Sequence, residues 1–191
     1  MRPAPPTTVV TMLATVAALG LLCAPAPRAD QTDARLDDLF AELAAADDPH
    51  DAFVTEMAIW RVWGESGRDD VDALLALGTE AMAGGRLDDA IAIFDRVVAI
   101  APGFAEGWNK RATAYYLRGD YVASVRDIER TLALEPRHFG AISGMGLIFL
   151  ERGDETGALK AFEEVLKIHP MSSNARRRVE ELRERLPRRG A

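Results

Sequence analysis

A spacing of 34 residues constrains this chain more than any other feature. Three proline-ended segments, AIAP ending at Pro102, ALEP at Pro136 and KIHP at Pro170, fall at that interval. Gly85-Arg86, Gly119-Asp120 and Gly153-Asp154 keep it, as do small Ala90, Ser124 and Ala158 and the larger Phe94, Ile128 and Phe162. Four columns in register over three copies mean one supersecondary unit in tandem, because such a unit cannot bury its apolar face alone. Within a copy, glycine can take the positive φ that closes one helix, and proline cannot continue the next. Each copy therefore reads as two short amphipathic helices around a Gly turn. The small column lets the helices approach, and the large column fills the space between copies. Composition agrees: Ala, Leu, Glu, Asp and Arg dominate, and β-branched residues are sparse beyond the N-terminus.

On these residues the sequence resembles the tetratricopeptide-repeat (TPR) family, whose pattern is W-x2-L-G-x2-Y, then A-x3-F, then P. The first copy, 71–104, carries Leu74, Leu77, Gly78, Ala81, Ala90, Phe94 and Pro102. The second, 105–138, carries Trp108, Arg111, Ala112, Tyr115, Ser124, Ile128 and Pro136. The third, 139–172, carries Ile142, Met145, Gly146, Phe149, Ala158, Phe162 and Pro170. Arg111 and Ala81 depart from the pattern. The resemblance covers a little over half the chain. It implies an all-α, right-handed α-solenoid of about three helix pairs. The chain as a whole also resembles small exported bacterial TPR proteins of unassigned function.

Terminal repeats need polar caps. Residues 173–186 supply a C-terminal capping helix, with Val179, Leu182 and Leu186 on one face and Ser172 or Ser173 as N-cap. Arg176–Glu180 and Arg177–Glu181 fall at i,i+4 on its wet side. Pro187 is expected to end it, leaving 187–191 as a tail. Upstream, 30–67 reads as a helical hairpin. Its first helix, 32–46, turns Leu36, Leu39, Phe40 and Leu43 inward. Asp47-Asp48-Pro49 makes the turn, and a second helix, 50–65, is expected to bury Phe53, Met57, Trp60, Ile59 and Trp63 before Gly64 to Gly67 breaks it. The hairpin resembles a degenerate repeat and is expected to be the N-terminal cap. Whether it leaves the groove described below open or covers it is not written in the sequence.

Residues 1–29 contain no acid. Arg2 precedes an apolar stretch, VVTMLATVAALGLLCA, which closes in Pro25-Ala26-Pro27-Arg28-Ala29. This reads as a secretory signal peptide, since roughly 16 residues fall short of the ~20 that span a bilayer. An uncleaved membrane anchor is the alternative. Cleavage is placed after Ala29 rather than after Ala26, where Pro27 would follow the cut. Leu22 before Cys23 argues against lipidation. Export to the periplasm would remove Cys23, the chain's one cysteine, leaving no thiol for a disulfide or metal site.

After that cut, 21 basic residues face 30 acidic ones, a net of −9. Residues 30–102 carry 5 basic and 17 acidic groups, whereas 170–191 carry 7 basic and 3 acidic. Such an acidic body excludes nucleic acid as the main partner. The basic end offers at most a weak contact to anionic lipid, or to the acidic half of another copy.

Residues with chemistry in them are few. His138 and His169 are read as surface histidines of inter-repeat turns, with no carboxylate at a ligand spacing. No catalytic fingerprint appears. Asp37-Asp38, Asp47-Asp48, Asp69-Asp70 and Asp88-Asp89 read as solvated faces and helix starts. No catalytic residue, metal site or cofactor is expected.

The resemblance implies instead a concave groove lined by the first helix of each pair. Its positions here are Leu75, Thr79 and Met82, then Asn109, Thr113 and Tyr116, then Ser143, Leu147 and Leu150. TPR co-chaperones clamp a terminal carboxylate with Lys, Asn and Arg. The matching positions here, Leu75, Thr79, Lys110, Gly140 and Gly144, offer Lys110 alone, so no such clamp is expected. The function read from the sequence is a non-catalytic scaffold or adaptor of the periplasm or envelope, binding a peptide segment of another protein. The alternative is a self-associating envelope protein using its acidic body and basic C-terminal helix. Partner identity, pathway and oligomeric state are not legible.

Overall fold

The computed structural model describes residues 33–189. Residues 1–32, with the expected signal peptide and both cleavage sites, lie outside the described residues. Those described form helices without strands: α1 Arg35–Ala45, α2 Pro49–Trp63, α3 Asp69–Ala83, α4 Leu87–Ile100, α5 Ala105–Arg118, α6 Tyr121–Leu134, α7 Phe139–Glu151, α8 Glu155–Ile168 and α9 Ser173–Arg189. No described helix is long and apolar enough to cross a membrane.

The three helix pairs α3–α4, α5–α6 and α7–α8 follow the 34-residue period. Gly85, Gly119 and Gly153 turn each pair with φ of 74°, 85° and 75°, a region that side chains with a Cβ avoid. Phe94 and Phe162 are fully buried. They press on Gly78 and Gly146 so closely that a Cβ there would stand 2.5 Å and 2.9 Å from the rings. The second pair solves the same contact differently. Ala112 replaces the glycine and the smaller Ile128 replaces the phenylalanine, and both stay buried.

Arg111, the departure from the repeat pattern, has its own partners. Its Nε and Nη2 donate to the two oxygens of buried Asp127 at 2.7 and 2.8 Å, and its Nη1 donates to Asp95 of α4 at 2.7 Å. The guanidinium lies 4.9 Å from the Trp108 ring centroid. A charge thus replaces a leucine between the first two pairs, tolerated because a carboxylate is buried with it.

Helix α9 caps the array, burying Ala175, Val179 and Leu182 against Ala158, Phe162 and neighbours. Ser172 Oγ accepts from the Ala175 amide. Two expectations change here. Helix α9 runs to Arg189, so Pro187 does not end it; near a helix end, the carbonyl that loses its proline partner can turn to water. Arg176 Nε donates to the Pro170 carbonyl at 2.7 Å instead of meeting Glu180, while Arg177 lies 4.0 Å from Glu181 as its spacing predicts.

The hairpin forms, but not where a cap of the first repeat would sit. Leu36, Phe40, Leu43, Ala52, Ile59, Val62 and Trp63 share one core with Phe139, Val165 and Ala175 of the third pair and α9. The physical reason is partly electrostatic. Helix α3 opens with Asp69, Asp70 and Asp72, of which Asp70 pairs with Arg68 and Asp72 accepts from the Ser66 amide, so it offers the hairpin's carboxylates no cation in its first turn. The third pair offers Arg137, whose guanidinium bonds Asp37 at 2.8 Å and lies 4.2 Å from the Phe40 ring. This docking reassigns the faces of α2. Ile59 and Trp63 are buried as expected and Trp60 is half-buried, but Phe53 and Met57 stand 56% and 47% exposed. Leu77, on the first pair, is half exposed.

Candidate functional site

Helices α5 and α7 lie side by side because α6 packs beneath them, with Ile128 buried against Ala112 and Ala141. Between them opens a cavity of about 140 Å³. Its walls are Asn109, Thr113 and Tyr116 from α5 and Ser143, Gly144 and Leu147 from α7, over a floor that includes Ser124 and Ile128. Thr113 is exposed, and Tyr116, Ser143 and Leu147 are half-buried, so the cavity opens to solvent. Five of the nine groove positions therefore share one space.

The other four do not join it. Leu75 is buried in the core of the first pair with Val71 and Phe94. Thr79 donates its hydroxyl to the Leu75 carbonyl at 2.8 Å, and Met82 packs on the same core. Leu150 packs toward Phe162, Val179 and Leu182 under α9. The hairpin takes the lower part of the concave face. The Trp60 ring lies against Gly140, where a Cβ would come within 2.5 Å of it.

The rim is polar and internally bonded. Tyr116 and Tyr121 both reach Glu151, at 3.5 and 3.4 Å. Burial raises the Tyr116 phenol, and the Glu151 charge raises it further, so the hydroxyl stays a donor. Thr113 donates to the Asn109 carbonyl at 2.9 Å, and Asn109 Nδ2 donates to Glu106 at 2.8 Å.

Beneath this rim lies a buried polar cluster that the sequence did not announce. His138 and His169 are 0% and 3% exposed, not surface turn residues. His138 Nδ1 accepts from the Ala141 amide, capping α7, so its proton sits on Nε2 and faces Glu106 Oε2 at 3.1 Å. Burial pushes the Glu106 carboxyl up. The His138 hydrogen bond, the Lys110 charge and the Asn109 amide outweigh that and hold it below the ordinary carboxylate range. Lys110 bonds Glu106 at 3.1 Å and lies 5.7 Å from the Trp60 centroid. The one residue fitting a carboxylate clamp is thus engaged in holding the hairpin. His169 faces Glu56 of α2 at 3.2 Å. That hydrogen bond lowers the Glu56 carboxyl against an opposing effect of burial. Glu106 precedes His138 by 32 residues and Glu56 precedes His169 by 113, separations that no motif spacing links. No group of three or more metal-ligating side chains occurs among the described residues.

Comparison with known proteins follows the repeats. The profile of the tetratricopeptide repeat matches residues 63–105, 75–136 and 109–173. A TPR repeat-containing protein of Rhizobium etli is 38% identical over 152 residues, covering 80% of this chain and 74% of that protein. Among solved structures, the Sgt2 TPR domain from Aspergillus fumigatus is similar at a TM-score of 0.60 and 25% identity, over 64% of this chain and 83% of that one. The Yersinia enterocolitica type III secretion chaperone SycD, solved with a peptide of the translocator YopD, shares the fold at a TM-score of 0.57 and 11% identity, over 62% and 95%. Repeat period, helix pairs and profile agree: this chain belongs to the tetratricopeptide-repeat family.

Proposed function

We propose that the chain is a non-catalytic interaction module that holds an extended or helical segment of another protein, anchored by one apolar side chain in the cavity between α5 and α7. The observation carrying this reading is the convergence of Asn109, Thr113, Tyr116, Ser143 and Leu147 on one space. That space suits a single leucine- to phenylalanine-sized group, and polar atoms on its wall can meet a peptide backbone. A peptide partner is also the class seen with SycD. Affinity is expected to be modest, because no Trp or Arg hot spot lines the cavity. The test is a photo-crosslinking residue at Tyr116 in living cells. A discrete adduct lost in Leu147→Asp supports the reading. Adducts from α9 and none from position 116 would sink it.

The export reading rests on the apolar run after Arg2 and belongs to this proposal. Its check is the N-terminus of the protein recovered from periplasm, expected at Asp30. Head-to-tail self-association through the basic helix draws less support. Arg177, Arg178, Arg183 and Arg185 pair with Glu181, Glu163 and Glu155 of α8 and α9.

A further inference from the structure

Trp60 differs from its neighbours on α2. Ile59 and Trp63 are buried in the core the hairpin shares with the third pair, whereas the half-buried Trp60 ring rests on Gly140. Gly140 also lines the cavity between α5 and α7. The other walls around the indole belong to the array. His138 and Phe139 meet it nearly at right angles, with centroids 5.6 and 5.3 Å away, and the Lys110 ammonium lies 5.7 Å from its centroid. Its polar atom is used elsewhere: Nε1 donates to Glu56 Oε1 at 3.3 Å, one turn back on its own helix. The array therefore holds the ring by shape and by a cation near its face, terms that another aromatic side chain meets equally well.

This seat adjoins the cavity. Gly140 and Gly144 are one turn apart on α7, ~6 Å. The indole lies on the first, and the cavity runs past the second to Leu147. Two anchors at that separation match residues i and i+4 of a bound helix, or i and i+2 of an extended segment.

We infer that Trp60 is an internal occupant of a second anchor seat, formed by Lys110, His138, Phe139 and Gly140, which an aromatic residue of the partner segment takes by displacing α2. The inference rests on the peptide-binding role proposed above and adds its second anchor and its regulation. Two features favour displacement. The hairpin enters α3 through five residues, 64–68, of which Gly67 and Arg68 are exposed and Gly67 has a φ of 73°. Docking also buries Trp63 Nε1 with no acceptor among the described residues, an unmet donor that release to water restores. While the hairpin is docked, the partner's apparent affinity is reduced in proportion to the open fraction.

The test uses the full chain, with a fluorescent peptide of residues 33–65 as the probe, read by anisotropy. The chains compared are wild type, Trp60→Ala and Asp37→Lys. Asp37 is exposed and pairs with Arg137, so its reversal loosens docking without touching the seat or the core. Trp60→Ala is expected to bind the probe at least about tenfold more tightly than wild type, and Asp37→Lys about threefold more tightly. A probe that itself carries Trp60→Ala should bind the Trp60→Ala chain at least about tenfold more weakly than the unaltered probe. Equal affinity of wild type and both variants, or of the two probes, would overturn the inference. In living cells, crosslinking from position 116 should give more adduct in Asp37→Lys than in the unaltered background. Equal adduct yields would overturn the inference and leave the peptide-binding role standing. No adduct in either background, with the probe still discriminating, would strike the peptide-binding role and retain Trp60 as the occupant of its seat.

Discussion

The indole of Trp63 lies flat on the imidazole of His138, with centroids 4.0 Å apart and planes 6° from parallel. One residue ends the hairpin and the other caps the start of α7, so the stack ties the hairpin to the third helix pair. Trp63 is 1% exposed. Trp63→Ala is expected to cost about 3–5 kcal/mol in urea unfolding. A loss under about 1 kcal/mol would mean that the hairpin is not held this way.

Two glycines one helical turn apart on α7 should respond oppositely. A Cβ at Gly140 would strike the Trp60 ring, whereas one at Gly144 would meet only Ile128 at 3.4 Å, an ordinary contact. Gly140→Ala should therefore shift Trp60 fluorescence and lower Tm. Gly144→Ala should leave both intact or add about 0.5–1 kcal/mol, because alanine is the better helix former. Gly144→Leu should fill the cavity and abolish crosslinking at position 116. Equal behaviour of the two alanine variants would contradict the placement of α2.

The Glu56–His169 contact makes hairpin docking sensitive to acid. The folded carboxyl lies below its ordinary value of 4.5. A lowered carboxylate stabilises the fold fully above the unfolded value and loses that contribution as pH falls through the folded one. Wild type should therefore exceed Glu56→Gln in stability by a constant margin near neutrality, and the margin should shrink below about pH 4.5. Chemical denaturation at a series of pH values reads this directly. A margin that stays constant down to acid pH would remove Glu56 from the account. Glu106, lowered in the same direction, should leave residual acid sensitivity in the variant.

Arg111 offers a test of how a repeat absorbs a charge at an apolar position. Arg111→Leu restores the family residue but strands Asp127, which is 4% exposed. It should cost about 3 kcal/mol or more, and adding Asp127→Ala should recover most of that. A double-mutant cycle by urea unfolding measures the coupling. Additive losses would show that the bidentate pair contributes nothing beyond its separate groups.

The repeat fold was legible because its determinants are local. Gly119 needs a positive φ, Pro136 stops a helix, and Ala112 faces Ile128 within one pair, all inside a single 34-residue window. Groove positions on α5 and α7 followed from the same periodicity. Those of the first repeat did not: whether Leu75 lines a groove or fills a core depends on how Phe94 and Ala114 close over it, which periodicity does not state.

The hairpin divides the same way. That α1 and α2 form, and that Leu36, Phe40 and Leu43 share a face, follows from helical spacing. Which part of the array they join is a long-range choice: they share a core with Phe139, Val165 and Ala175. It is settled by Arg137 reaching Asp37, by His169 meeting Glu56 and by Trp63 covering His138. These contacts join residues 100, 113 and 75 positions apart, and their energies appear only once the repeats have brought the pieces together. The same choice buried two histidines that looked superficial and left Phe53 and Met57 facing water.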